Sequence, residues 1–202
     1  MSKSAKSEVR VGKTAGDRDL VEHELASTQV FKGTLLDVRQ DRVRLPDGSE
    51  AVREYVNHPG AVVVLALTDN DTLVLVRQFR YPLRRVFIEF PAGKIDPDED
   101  ILVCAQRELR EETGYVARRW AHLGVSHLCI GYSSERIEVF FARELEQVGS
   151  ALDEGEFLEV FEMPLDEIEA AVHAGHITDA KTVAALFLGL KAVREARGSD
   201  SD

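Results

Sequence analysis

Between Gly93 and Tyr115 the chain reads GKIDPDEDILVCAQRELREETGY, a stretch in which acidic side chains recur at helical spacing. At about 100° of rotation per residue, Glu112 falls about 40° and Glu111 about −60° from Glu108, so three carboxylates share one side of a helix. Ile101, Leu102, Ala105 and Leu109 fall between about 20° and 120° and form the apolar stripe. Glu112 therefore sits within the face that a core should cover. Like charges one turn apart cost an isolated helix ~0.2–0.5 kcal/mol. A carboxylate turned toward the core costs more unless it is paired or bound to a cation. Arg107 can pair with Glu111 at i+4, which leaves Glu108 and Glu112 without an evident local counter-charge. Hard oxygens grouped in this way suit Mg2+ or Mn2+, which neutralise them and can also hold phosphate oxygens. Taken alone, such a string is more often a solvated acidic helix face.

The surrounding pattern supplies elements to position it. Asp100 to Thr113 has no Gly or Pro and is rich in Leu, Ala, Gln, Arg and Glu, which predicts a helix. Gly114 stands where a left-handed residue usually ends one. Upstream, Leu20 to Asn57 suits strands. Leu35–Leu45 and Glu50–Val56 flank Pro46-Asp47-Gly48 as a hairpin. Ala61 to Leu67 is a continuous β-branched and apolar run, hence a strand buried on both faces. Thr72–Arg80 returns after an Asp69-Asn70-Asp71 turn, and Val86–Phe90 closes on a Pro91-Ala92-Gly93 loop. Downstream, Val116–Ser126, Arg136–Ala142 and Phe157–Met163 read as strands, and Asp166–Ala174 and Asp179–Arg197 as helices. Asp179 suits an N-cap, and Val183, Leu186, Phe187 and Leu190 offer a packing face. The expectation is an α+β chain with a strand region over 19–58 and a main domain over 59–197. Polar, flexible tails are expected at 1–18 and 198–202.

Composition narrows the partners. With 202 residues, 44% hydrophobic and 30% charged, the chain is globular in type. Its 25 basic and 36 acidic residues give a formal charge of −11, which repels nucleic acid and anionic membrane. An anionic substrate is therefore expected to arrive with a divalent metal. No apolar run reaches the roughly 20 residues of a membrane span. The N-terminal MSKSAKSEVRVGKTAGDRD lacks the apolar segment of a secretory signal. Cys104 and Cys129, both among apolar residues, read as reduced core residues of a cytoplasmic chain.

Gly93, five residues, Glu99, seven residues, then Arg107-Glu108-Leu109-x-Glu111-Glu112-x-Gly114 resembles the Nudix box. The resemblance implies the Nudix fold, an α/β/α sandwich around a mixed β-sheet, and metal-assisted hydrolysis of a nucleoside diphosphate linked to another group. It implies metal-binding roles for Glu108, Glu111 and Glu112 and for the Ala92 backbone carbonyl. For Arg107 and Glu99 it implies an ion pair joining loop to helix, with Gly93 and Gly114 structural in the motif.

The flanking strings VREYVNHPGAVVVLAL, VRQFRYP, EFPAGKID and HITDAKTVAALFL look like the ADP-ribose pyrophosphatase branch, over roughly residues 20 to 195. That likeness implies a homodimer in which the N-terminal antiparallel strand region pairs with a second subunit and helps build the substrate pocket. It implies substrate-binding roles for Arg53, Arg80, Glu135 and Phe31. Against these stand plainer roles: strand salt bridges for the two arginines, a turn for Glu135, and the core for Phe31, where most Phe residues belong. Ile130-Gly131-Tyr132 departs from the branch's usual Pro-Gly-aromatic string, which weakens ADP-ribose against other nucleoside diphosphate sugars. Arg84 and Arg85 suit either a charged sugar phosphate or a solvated loop.

The likeness further implies a water-activating glutamate on the loop Asp153-Glu154-Gly155-Glu156. Glu154 is favoured, with Glu156 as the other catalytic candidate or a further metal ligand. The expected products are AMP (or another NMP) and a sugar phosphate. Two alternatives stay open: a Nudix hydrolase of another nucleotide sugar or a dinucleoside polyphosphate, and a non-catalytic nucleotide-sensing module of the same fold.

Overall fold

Strand β4 (Ala61–Ala66) is buried at every residue, as its unbroken apolar sequence demands. It anchors the larger of two compact units into which the chain divides, residues 57–202 and 1–56. The computed structural model describes residues 20–149 and 157–198. The expected tails therefore lie outside the described residues, save that Gly198 closes the last helix. Among the described residues no helix is long and apolar enough to cross a membrane.

In the smaller unit, β1 (His23–Lys32), β2 (Asp37–Arg44) and β3 (Glu50–Val56) form an antiparallel sheet in that order. The β2–β3 turn is the expected one. Asp47 accepts from the Ser49 amide at 2.9 Å, and Gly48 takes φ +88°. One row of the sheet aligns Phe31, Val38 and Val56 across all three strands. Phe31 remains 54% exposed, so the core role weighed for it is not the one it takes here.

The larger unit is built on a mixed four-stranded sheet ordered β7 (Ala92–Lys94), β4, β9 (Ile137–Gln147), β8 (Tyr115–Ser126). β4 and β9 run parallel, and the other pairs are antiparallel. A second sheet is ordered β10 (Leu158–Pro164), β5 (Thr72–Arg80), β6 (Arg85–Glu89). Helix α1 (Ile101–Thr113) packs with Val62, Val64, Phe140 and Ala142 on one face of the mixed sheet. Helices α2 (Leu165–His173) and α3 (Ala180–Gly198) share the other core with Val63, Leu65 and Phe141. This is the α+β sandwich anticipated.

Three local features differ from expectation. Ala92–Lys94 pairs with β4 as a short strand rather than a free loop, and β9 continues five residues past Ala142 because its polar alternation still pairs with β8. Helix α3 buries Thr182, Ala185, Leu186, Gly189 and Val193, while Phe187 is 76% exposed. Small residues win that face because the helix lies so close to the sheet. A Cβ at Gly189 would stand 2.4 Å from Leu65 Cδ2. Cys104 is buried as read, and burial pushes its thiol up to about 12. Cys129 is only half-buried and accepts from the Tyr132 hydroxyl at 3.1 Å.

Candidate active site

Helix α1 begins on Asp100, whose carboxylate accepts from the Leu102 and Val103 amides at 2.9 and 3.2 Å. It ends at Gly114, which takes φ +75° and bonds its amide to the Arg110 carbonyl. These caps fix the helix end to end against the sheet, with β7 directly alongside. Ala92 and Gly93 are held in register with Val63 and Val62 of β4.

Glu112 is 5% exposed on the core-facing side, and its Oε2 accepts from the Ala92 amide at 3.0 Å. One turn earlier, Glu108 occupies the space that a side chain at residue 93 would need. A Cβ built on Gly93 would stand 1.9 Å from Glu108 Cδ. Two glutamates of one helix are thus seated on two consecutive residues of one strand. Arg107 supplies the counter-charge that helical spacing does not assign to Glu108. Its Nη1 reaches Glu108 at 2.7 Å as well as Glu111 at 3.0 Å, because a long guanidinium can bend back over its neighbour. Its Nε and Nη2 fork onto Glu99 at 2.8 and 2.9 Å, and Nη2 also donates to the Lys94 carbonyl. The Arg107–Glu99 ion pair between loop and helix is therefore present. That fork holds the Glu99 carboxyl down at about 2, and the carboxylates around Arg107 raise its own pKa.

The donor set suits a divalent cation: carboxylates of α1 beside the β7 backbone, with a glycine leaving room for one of them. Among the described residues no three acidic, His or Cys side chains converge on one point as they stand. Arg107 engages Glu108 and Glu111 while Glu112 turns to the Ala92 amide.

The expected arginines and Glu135 each have local partners of their own. Arg80, 42% exposed, forks through Nε and Nη2 onto Glu89, both at 2.7 Å. Burial opposes ionisation of Glu89, which is 2% exposed, but Arg80 and Lys181 hold its carboxyl below the usual range. Arg53, in the smaller unit, forks onto Glu22 at 2.8 and 2.5 Å. Glu135 lies 3.7 Å from His58 Nε2. Arg84 sits 3.5 Å over the Tyr81 ring, and Arg85 of β6 stacks on Phe87 and donates to Thr178, so neither is simply a solvated loop residue. Ile130 and Tyr132, flanking Gly131, are exposed. Glu154 and Glu156 lie outside the described residues. Sequence reading gave no role to Glu89 or Lys181. Their signals were an acid inside the apolar run Val86–Phe90 and a lysine two residues after the α3 cap.

The family model for the NUDIX domain matches residues 57–186, well over half of the chain. The chain belongs to the Nudix family. Residues 22–56 of this Nudix protein match the nucleoside diphosphate sugar hydrolase N-terminal domain. The protein is 40% identical over 183 residues to the ADP-ribose pyrophosphatase of Bacillus subtilis (strain 168), covering 89% of this chain and 99% of that one. It is 39% identical over 167 residues to the methanol dehydrogenase activator of Bacillus methanolicus, covering 82% and 90%. A crystal structure of an ADP compounds hydrolase superposes with a TM-score of 0.76 at 24% identity, over 87% of this chain and 95% of that one, and shows the shared fold. Nudix hydrolases are in general dependent on divalent metal.

Proposed function

We propose that this Nudix protein hydrolyses the pyrophosphate bond of ADP-ribose or a related nucleoside diphosphate sugar, giving a nucleoside monophosphate and a sugar phosphate. The observation that carries the reading is the seating of Glu108 and Glu112 on the Gly93 and Ala92 backbone, which brings hard oxygens together in a partly buried site. The matches to the Nudix domain and to the sugar hydrolase N-terminal domain support the substrate class.

Glu108, Glu111, Glu112 and the Ala92 carbonyl would hold Mg2+ or Mn2+, which when bound neutralises the diphosphate and lowers the pKa of an attacking water. The chain's own groups do the rest. Arg107 neutralises the glutamates and, through Glu99, keeps the loop on the helix. Arg80 presents a fixed cation for a phosphate oxygen. Water adds to one phosphorus as the bridging P–O bond breaks, and a carboxylate takes the water's proton. Glu154 is our candidate for that base, with Glu156 second. Arg53, Phe31 and Glu135 are proposed to contact the nucleotide and the terminal sugar.

The same reading makes the enzyme a cytoplasmic homodimer that uses no nucleic acid or membrane. Two free cysteines support the reducing compartment, and a formal charge of −11 supports the exclusion of nucleic acid and anionic membrane.

The test is a panel of ADP-ribose, ADP-glucose, GDP-mannose and a dinucleoside polyphosphate, scored by kcat/KM with magnesium. ADP-ribose is expected to lead by about tenfold. In the same assay Glu112→Gln should lose about a hundredfold or more in kcat, the scale of a lost charge-stabilising contact, with the fold intact by circular dichroism. Undiminished turnover in that variant overturns the site.

A further inference from the structure

The first residues of α3 reach back to the strand that leads into the active-site loop. Asp179 caps the helix, its Oδ2 accepting from the Thr182 amide at 3.0 Å and the Thr182 hydroxyl at 2.7 Å. The buried Thr182 hydroxyl in turn accepts from the Phe90 amide at 3.1 Å, two residues before Ala92. Lys181 lies between the two acids. Its Nζ bonds Glu89 and lies 2.8 Å from Asp179. Glu89, the most deeply buried acid of the group, receives Lys181 on Oε2 and the Arg80 fork on both oxygens.

This arrangement has a direction. Arg80 spends Nε and Nη2 on Glu89, and among the described residues its Nη1 makes no hydrogen bond. The charges that keep Arg80 protonated are led by Glu89 and include Glu112, the buried glutamate of the candidate metal site. One side of the guanidinium is thus fixed to the α3 network while the group as a whole lies in the field of the catalytic helix. A single buried carboxylate shared by two cations cannot swing to follow one of them.

We propose that Lys181 is a positioning residue for Arg80, acting through Glu89 to hold the guanidinium edge ready for a phosphate oxygen of the substrate. The inference rests on the proposed diphosphate hydrolysis. It adds that the α3 N-terminus sets the geometry of a substrate contact it does not itself make. Removing the Lys181 ammonium leaves Glu89 to Arg80 alone, and the guanidinium is drawn out of its set position.

The test is a double-variant cycle on the full chain, with ADP-ribose and magnesium. Lys181→Met is expected to lower kcat/KM about tenfold, the order of coupling within one hydrogen-bonded network. In an Arg80→Ala background the same change should cost less than about twofold, since nothing is left to position. Lys181→Arg should recover most of the loss. Thermal melting of each variant reports folding, and Lys181→Gln, which likewise removes the ammonium charge beside Glu89, replaces the methionine variant should that one fail to fold. Losses that multiply in the double variant, or an unchanged kcat/KM in the single one, overturn the positioning role. If Arg80→Ala is itself as active as the parent, the substrate role of Arg80 falls and the inference with it. That outcome is distinct from impaired but independent variants, which defeat the inference alone.

Discussion

Glu108 and Gly93 define each other. The carboxylate lies where any side chain at residue 93 would have to be, so even a methyl group there must displace it or push β7 away from β4. Gly93→Ala should destabilise the fold by about 1–3 kcal/mol, the usual range for overpacking. It should also weaken magnesium uptake by at least about tenfold, as losses of metal-orienting contacts do. Calorimetric titration of chelator-stripped protein checks this, and unchanged affinity would show that Glu108 is no ligand. At this scale the sequence was informative wherever a helical wheel applies: Glu112 could be placed in the buried stripe because rotation per residue is fixed. The reach of Arg107 to Glu108 was not legible, since neighbouring helical residues diverge and only a long side chain closes the gap. Glu89 and Lys181 were hidden for another reason. They lie 92 residues apart in sequence and meet only through the packing of α3.

The loop before α1 is joined to the helix by the Arg107–Glu99 ion pair, which acid is expected to weaken. Glu99 titrates at about 2 in the folded chain, below the about 4.3 of an unfolded glutamate. Its stabilisation is therefore complete above the ordinary carboxylate range and disappears as pH falls from there toward 2. Glu99→Gln should melt at lower temperature than the parent at pH 7, with the gap narrowing as pH falls below about 4 and closing toward about pH 2. A constant gap between them down to pH 2 would mean that the stabilisation is not ionic. Element boundaries followed the residue pattern closely where local rules govern them: β5 spans Thr72–Arg80 as read, and Gly114 stops α1. They followed it poorly where packing decides. The exposed Phe187 and buried Gly189 of α3 reverse what hydrophobicity alone suggests, because closeness to Leu65 selects for small residues.

At the scale of the whole molecule, the smaller unit leaves an apolar surface that water covers poorly. Phe31, Val38 and Val56 form one cross-strand row, and Val52, paired with Arg42, lies further along the same face beyond the hydrogen-bonded Gln40–Glu54 pair. Phe31 and Val52 are both more than half exposed. A three-stranded sheet needs an apolar face packed on something to be stable, and exposed apolar strips of this kind mark contact surfaces. A second copy of the chain is the occupant proposed here. The parent should therefore sediment as a dimer at micromolar concentration. Phe31→Asp, which puts a charge at the most exposed end of the row, should shift it to monomer without unfolding the larger unit. If the partner's strand region helps to build the substrate pocket, the monomer will also lose most of its kcat/KM, chiefly through KM, because the lost contacts hold the substrate rather than the reacting phosphorus. Should the parent sediment as a monomer, the dimer is excluded. A dissociated variant with full activity would leave the dimer standing but confine the pocket to one chain.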